Sequence, residues 1–499
     1  MSLPARSHKA SAENNAVAFL RLHAEQQPEY PAIIMSDRII TYRQLSVGVG
    51  VIAARLQQQG VKAGDVVGVS MGQNALHMMT QLAIAQMGAV SLPIHPAVPA
   101  ERRHLAASRF GAAHIVSARA EMKLNGFPFI SLAELSLDGR TLAPDPDFCP
   151  VTADTPFRIA LSSGTSGDPK GMMLTHGLVV HRRQNPPLDV TTTCRSILMD
   201  INFVVGAGSL IRFMAFGASV VLPGAMKAGG LLRCILSQNV THLMLSPIQI
   251  RELTEQLTDG GLHCPAIVEL RAVGGPLPAH LLAIAKRTLT PNIYVGYGST
   301  EAGYVAEASP DILDRHPQSV GKVCPWAQVE VVDDDGLPLS AGGIGQLRIR
   351  TDNQVTGYYL DPVRTARHFR QGWYYPGDLG RFDKEGLLYI EGRADDQLNV
   401  GGLKVNPEDI DATITAHEAV IEAGAFVVSQ EEGKELLAVA VVLREAKRLQ
   451  EVERYAKTQL GPLSPAQFFV VPSLPRTMTG KLRRAELTAQ FSGLDGRPS

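Results

Sequence analysis

Short apolar runs that alternate with helical patterns set the strongest limit on what this chain can fold into. Val66 to Met71 reads as a buried strand, Ala75 to Met87 as a helix rich in Ala, Leu and Met that stops at Gly88, and Ala89 to Pro93 as a second strand. Thr41 and Gln44 stand three apart before an apolar-periodic run to Leu56, which predicts a capped helix. The alternation returns at Ser219 to Leu222, Thr241 to Leu245 and Asn292 to Val295, with helical stretches such as Leu231 to Ser237 between them. Strands joined by helical crossovers build a largely parallel sheet covered on both faces, so the fold class is α/β. From Gln328 the texture changes to short strands and glycine turns, which predicts an antiparallel β unit. After Arg393 a charged turn, Ala394-Asp395-Asp396-Gln397, opens a segment with its own α+β pattern. The expected division is therefore a large unit over residues 1–394 and a small one over 395–499. A chain of 499 residues exceeds a single core on length alone.

Within this frame, Leu161 to His176 reads LSSGTSGDPKGMMLTH. Gly164, Gly167 and Gly171 let successive backbone N–H groups turn toward one anion. Ser162, Ser163, Thr165 and Ser166 add hydroxyl donors, and Lys170 brings a movable positive charge, so the composition is that of a phosphate cradle. A flexible Ser/Gly linker has similar composition, but here the apolar run Phe157 to Leu161 precedes it and another apolar pattern, Met172 to Val180, follows. A Walker loop needs glycine before the lysine, and Pro169 stands there instead; the GxSxG spacing of a nucleophile elbow is also absent. Ordinary kinases and serine hydrolases fit poorly.

Two more glycine loops are expected at strand ends: Gly274-Gly275-Pro276, and Gly296-Tyr297-Gly298-Ser299-Thr300-Glu301 directly after a strand. Open α/β sheets bind ligands at the carboxyl ends of their strands, so both loops and the cradle are expected at one crevice. Tyr297 offers a flat face for a base, and Thr300 and Glu301 offer a hydroxyl and a hard oxygen ligand for Mg²⁺. Further on, Trp373-Tyr374-Tyr375-Pro376-Gly377-Asp378 sets a carboxylate after a glycine turn, and Pro475-Arg476-Thr477-Met478-Thr479-Gly480-Lys481 sets a lysine on a glycine loop of the small unit. Taken singly, each reads as a turn or a solvated side chain.

Together, in this order, the cradle SSGTSGDPKG, the loop YGSTEA, the GD of WYYPGDLG, the stretch GRADDQ and PRTMTGK resemble the adenylate-forming superfamily of acyl-CoA synthetases, luciferases and peptide-synthetase adenylation domains. The resemblance runs from about Thr41 to Arg484 and is strongest to acyl- or aryl-CoA ligases. It implies two α/β subdomains plus a β unit, followed by a small mobile α+β domain hinged at Asp395. It implies a reaction in which a carboxylate attacks the α-phosphorus of ATP and a thiol then takes the acyl group. By the same resemblance, Ser162, Ser163, Gly164, Thr165, Ser166, Gly167 and Lys170 hold the β- and γ-phosphates, Gly274, Gly275, Tyr297 and Gly298 bracket the adenine, and Thr300 contacts the α-phosphate. Glu301 holds Mg²⁺, Asp378 and Arg393 bind the ribose, and Lys481 bridges the carboxylate and the α-phosphate. One anion attacks another here, so positive charge and positioning carry the catalysis.

The chain departs from the common pattern at Pro376, where a threonine is usual, and at Asn202-Phe203-Val204-Val205, where many relatives have Phe-His before an apolar pair. The gate between acid pocket and thiol tunnel is then Phe203. Relatives that activate α-amino acids carry an aspartate at the position of Val204, and a buried ammonium without a partner is costly, so amino acids are disfavoured. Gly296, Gly298 and Gly303, with Tyr304 and Val205 nearby and Phe203 and Val204 beside them, suggest a roomy, uncharged pocket for an aryl or medium-chain acid. Gly401 and Gly402 resemble the glycine pair lining a pantetheine tunnel, which CoA and a carrier protein would share. A scaffold without catalysis would be expected to lack Glu301 or Lys481, and nothing positive supports a luciferase-like oxygenase.

Composition supports a small-molecule enzyme. Lys and Arg total 47 against 48 Asp and Glu, so no net field draws nucleic acid or an anionic membrane. Five scattered cysteines without a CxxC pair suggest neither a disulfide framework nor a zinc site, and fit a reducing cytoplasm. No run of signal-peptide or membrane-spanning character is present, so a soluble protein is expected. The expected function is an ATP- and Mg²⁺-dependent ligase joining an acid to CoA, with loading of a carrier protein in trans as the runner-up.

Overall fold

The computed structural model of the chain describes residues 11–133, 148–162, 170–182, 190–223, 228–261, 263–352, 354–394, 398–400, 403–429, 435–476 and 482–491. Two sheets form the body of the large unit. In the first, six strands run in the spatial order Phe129–Ser131, Ala112–Ser117, Val66–Val69, Val90–Pro93, Pro156–Ser162, Lys170–Thr175, all parallel except the last pair. The second has nine strands: Lys322–Val323, Gly303–Ala308, Ile293–Ser299, Glu269–Ala272, His242–Leu245, Arg195–Ile197, Ser219–Val221, Pro31–Ile34 and Ile39–Thr41. Its middle is parallel and both edges are antiparallel. The α/β class with a largely parallel core is therefore what forms.

Local chemistry explains the elements between them. Thr41 and Gln44 make a full capping box at the start of Tyr42–Gln58, each side chain satisfying the other's backbone N–H. Asn74 caps Ala75–Gln86, whose residues are nearly all buried because the helix lies between the two sheets' cores. Ser246 and Gln249 cap Pro247–Gly260 in the same reciprocal way, with Pro247 in the first turn, where a missing N–H costs nothing.

From Ala327–Val332 to Leu388–Arg393 the chain forms a six-stranded sheet whose pairings are antiparallel, the expected β unit. The small unit pairs Val420–Ser429 with Glu435–Leu443, adds Gln467–Val470 in parallel, and covers this sheet with the helices Pro407–Thr415, Leu449–Leu460 and Arg484–Phe491. Its buried residues form their own clusters, around Ile410, Ile414 and Val439 and around Phe426 and Leu487.

One expectation needs correction here. Gly296 to Ser299 do not follow a strand; they are its second half. Ile293–Ser299 keeps extended geometry because Gly303–Ala308 turns back and pairs with it, Gly298 opposite Tyr304 and Ser299 opposite Gly303. What reads as a glycine loop is the tip of a hairpin.

Candidate active site

The expected crevice falls where residues from the strand ends of both sheets meet around Tyr358. Pro156–Ser162 and Lys170–Thr175 pair antiparallel up to Ser162 opposite Lys170, which sets Lys170 at the lip of the cradle. Ser163, Gly164, Thr165, Ser166 and Gly167 lie outside the described residues, as do Asp395, Gly401, Gly402 and Lys481. Lys170 is half-buried, its Nζ 5.9 Å from the centre of the Tyr358 ring. Burial lowers its pKa, with Arg364 adding to the effect and Glu301 opposing it.

Tyr358 also donates its hydroxyl hydrogen to Glu301 Oε1 at 2.8 Å. Burial and the Glu301 charge hold that phenol well above its usual range, so it remains a donor. Glu301 is buried, and its backbone carbonyl accepts from Val355 N–H at 2.9 Å. Arg182 Nη2 donates to the carbonyl of Thr300 at 3.1 Å, pinning the residue expected to meet the α-phosphate. Burial pulls the Arg182 guanidinium down to about 10 while Glu301 pulls it back, and it stays charged at neutral pH.

On the next side of the crevice, Tyr297 donates to Asp378 Oδ2 at 2.5 Å, and Arg393 Nη1 donates to Asp378 Oδ1 at 3.1 Å. Asp378 and Arg393 face each other across the strands Asp378–Phe382 and Leu388–Arg393, so register alone fixes their pairing. Arg393 Nη2 also holds the carbonyl of Pro376 at 3.2 Å, which gives the unusual proline a partner through its backbone. Gly274, at φ 89°, turns the chain after Glu269–Ala272, a left-handed geometry that suits glycine, and Gly275 follows it.

Toward the acid side, Phe203 is the N-cap of Val204–Ala215, half-buried, with its ring parallel to that of His95 at 6.4 Å. Val204 packs on the core and Val205 is exposed. The glycines read as making room do something else. A Cβ on Gly296 would come within 2.4 Å of the Tyr304 hydroxyl, and one on Gly298 within 2.3 Å of the Gly303 carbonyl, so the ring and backbone of the partner strand occupy that space.

Nor is this wall uncharged. Tyr304 donates to Glu307 Oε2 at 2.8 Å and accepts from Arg271 Nη1 at 3.2 Å; Arg271 also pairs with Glu307 and, through Nε at 2.7 Å, with Glu269. Burial alone would lower the Arg271 pKa, and Tyr304, Glu269 and Glu307 more than reverse it. The charges are turned toward one another, and Tyr304 covers Gly296 with its ring.

Sequence reasoning missed Arg182, Tyr358 and Arg271. Arg182 sits in the basic run His181-Arg182-Arg183, which reads as a solvated helix end, and Arg271 in an ordinary strand. The aromatic pair Tyr358-Tyr359 directly after Gly357 was the available signal.

The sequence matches the AMP-binding enzyme family over residues 20–359 and the AMP-binding enzyme C-terminal domain over residues 409–481. Among curated proteins it is 27% identical to a 3-hydroxybenzoate–CoA ligase of Aromatoleum sp. (strain CIB), covering 93% of this chain and 94% of that protein. It is likewise 27% identical to a linear gramicidin synthase of Brevibacillus parabrevis over 95% of this chain, which spans only 6% of that protein. Among solved structures, the o-succinylbenzoate CoA synthetase (MenE) of Bacillus subtilis in complex with the acyl-adenylate intermediate OSB-AMP shares the fold, with a TM-score of 0.85, 23% identity, and coverage of 96% of this chain and 99% of that one.

Proposed function

This chain belongs to the AMP-binding enzyme family, and on that premise we propose that it is an ATP-dependent carboxylic acid:CoA ligase that acts through an acyl-adenylate on an aryl or medium-chain acid. The observation that carries the reading is the meeting of Lys170 and Glu301 on the two sides of Tyr358, which joins the phosphate cradle to a carboxylate suited to a metal ion.

In the first step the acid's carboxylate attacks the α-phosphorus of ATP, and pyrophosphate leaves. Lys170 and the cradle from Ser162 to Gly167 hold the leaving phosphates, and Thr300 and Lys481 steady the α-phosphate as charge develops. Asp378 and Arg393 receive the ribose, and Gly274, Gly275, Tyr297 and Gly298 frame the adenine. In the second step a thiol attacks the acyl carbon and AMP departs; Gly401 and Gly402 line its approach, and the small domain re-orients about Asp395. We place the domain boundary there, between 394 and 395, on the strength of the separate clusters on either side.

Glu301 suits Mg²⁺, because Tyr358 engages only one of its two carboxylate oxygens. Among the described residues no group of three or more His, Cys, Asp or Glu could hold a metal ion, so Glu301 would share the ion with phosphate oxygens, the usual arrangement for this cation. When bound, the ion neutralises charge on the transferring phosphates.

The aryl preference is supported by the Tyr304 ring over Gly296 and by the relatives that act on aromatic acids. Loading of a carrier protein in trans is the second reading, favoured by the gramicidin synthase similarity. A cytoplasmic location is supported by five free thiols, and among the described residues no helix is long and apolar enough to cross a membrane.

The test is mass spectrometry of the products from ATP, Mg²⁺ and a panel of aryl and fatty acids, with and without CoA. An acyl-CoA from one class of acid supports the proposal; an adenylate that CoA leaves untouched moves the assignment to carrier loading. Lys481→Ala is expected to abolish adenylation while sparing thioester formation from supplied adenylate, and equal loss of both steps would contradict the role given to Lys481.

A further inference from the structure

Among the described residues, Arg158 is the most buried of the arginines to which the reaction proposed above gives no task. Arg158 lies in the strand Pro156–Ser162 that enters the cradle, and it is 1% exposed. A charge in such a place is costly unless its donors are paired, and here both Nη groups are paired while the buried Nε has no partner among the described residues. Arg158 Nη1 donates to Gln81 Oε1 at 2.8 Å, and Nη2 forks onto the carbonyls of Ile201 at 2.9 Å and Asn202 at 2.8 Å. Those two carbonyls belong to the turn that presents Phe203.

Further side-chain contacts hold the same turn. Gln81 Nε2 donates to Ile201 O at 3.3 Å and to His77 Nε2 at 2.8 Å; His77 Nδ1 lies 3.2 Å from Gly72 O and carries the ring's proton. Asn202 Nδ2 donates to Met71 O at 3.1 Å and to Asp200 Oδ1 at 2.9 Å, and Asp200 Oδ2 faces His95 Nε2 at 3.4 Å, on the ring that lies parallel to Phe203. From below, a Cβ on Gly206 would meet the carbonyls of Met199 and Asp200 at 2.4 Å, so the first turn of Val204–Ala215 presses directly on the same residues. Burial pulls the Arg158 guanidinium down to about 9 while Asp200 pulls it back, which leaves it charged at neutral pH. A planar fork meets two successive carbonyls and an amide at once; an ammonium, a point charge on a flexible stem, does not have that geometry.

We propose that Arg158 is a positioning residue for the gate: it ties the strand that enters the phosphate cradle to the turn 200–203, across the two sheets of the large unit, and so holds the Phe203 ring in one place. The name gate rests on the ligase reading; the tie between strand and turn does not. The consequence is that Arg158 governs acid selection through Phe203 without touching the acid.

Two measurements on the full chain decide this. With 4-fluorophenylalanine placed at Phe203, the ¹⁹F spectrum is expected to show one sharp resonance, which Arg158→Met splits or broadens. In steady state, Arg158→Met is expected to raise KM for the acid about tenfold while KM for ATP stays within about twofold, and in a Phe203→Ala background the same substitution should add less than about twofold. Should the methionine variant not fold, Arg158→Lys, which keeps the charge and loses the fork, is read by the same two criteria. An unchanged resonance, or an equal loss with and without Phe203, overturns the proposal. If the wild-type chain adenylates no acid at all, the ligase reading fails, and the ¹⁹F spectrum alone judges Arg158.

Discussion

The proposed nucleotide side of the crevice and the proposed acid gate are stiffened in opposite ways. Asp378 and Arg393 pair across adjacent strands with side chains 16% and 35% exposed, and Tyr297 reaches them from a neighbouring hairpin. The turn before Phe203 is held instead by Arg158, Gln81, Asn202 and His77, all buried, drawn from separate segments of the chain. A partly exposed pair exchanges a partner for a ligand or water at less cost than a buried cation that loses its partners. On the roles proposed above, the nucleotide side is thus suited to trade contacts with a ligand, and the gate to hold its shape while ligands come and go.

Removing the cation from each side gives the largest expected contrast. Arg158→Met should destabilise the folded chain by about 2–6 kcal/mol, because it leaves the Gln81 and Asn202 oxygens without that donor in the interior, at about 1–3 kcal/mol each, while Ile201 O keeps its bond from Gln81. Arg393→Met, at a screened and partly exposed site, should cost about 0–1 kcal/mol and show itself in nucleotide binding. Urea denaturation of both variants measures the difference, and comparable losses would dissolve the contrast.

This division also marks what could be read from sequence. Asp378, Tyr297 and Glu301 stand in short glycine-bearing motifs where neighbours in the chain are neighbours in space, and the Thr41–Gln44 box and the strand–helix alternation are local in the same sense. Arg158 was hidden by the opposite circumstance. It interrupts the apolar run Phe157 to Leu161, and its partners are 77, 43 and 44 residues away, one of them a glutamine in a helix of Ala, Leu and Met. Periodicity reports which face is buried and does not report what a buried polar atom meets. The Gly296 to Ser299 segment failed for a related reason: its strand character comes from pairing with Gly303–Ala308, and glycine content alone reads as a loop. Tyr304 could be placed near a pocket from its position, yet the Arg271, Glu269 and Glu307 group behind it depends on separate strands meeting.

A smaller effect makes the stability of the gate network depend on pH. His77, inside the gate network, has its pKa pulled down to about 3 by burial and then by Arg158; His176, buried against Phe157, is pulled down to about 4 by burial. Both resist protonation when folded and accept a proton near 6.5 when unfolded. Their contribution is therefore fully present above about pH 6.5 and is lost as pH falls toward about 4. Each removes about 1.4 kcal/mol per pH unit in that window, so the pair should give a slope of about 2.7 kcal/mol per unit. Denaturation midpoints from about pH 7 to about pH 4.5 test this, and His77→Gln should remove about half of the slope. A slope that His77→Gln leaves untouched would mean that the histidine is not held neutral by the gate.

Tyr358→Phe is the finest probe, because it deletes one hydroxyl from the nucleotide side and leaves the ring under Lys170 in place. A hydrogen bond to a charged acceptor contributes about 1.5–3 kcal/mol, and because Glu301 is buried the stability cost should fall in that range. On the role proposed for Glu301, the bond orients the carboxylate by fixing one oxygen and leaving the other for the ion. Activity should fall about tenfold, with most of the loss recovered at high Mg²⁺, since a freely rotating carboxylate binds the ion more weakly without losing its charge. A loss that Mg²⁺ does not relieve would locate the role of Tyr358 in its contact with Lys170, and would make this side of the crevice as rigidly committed as the gate.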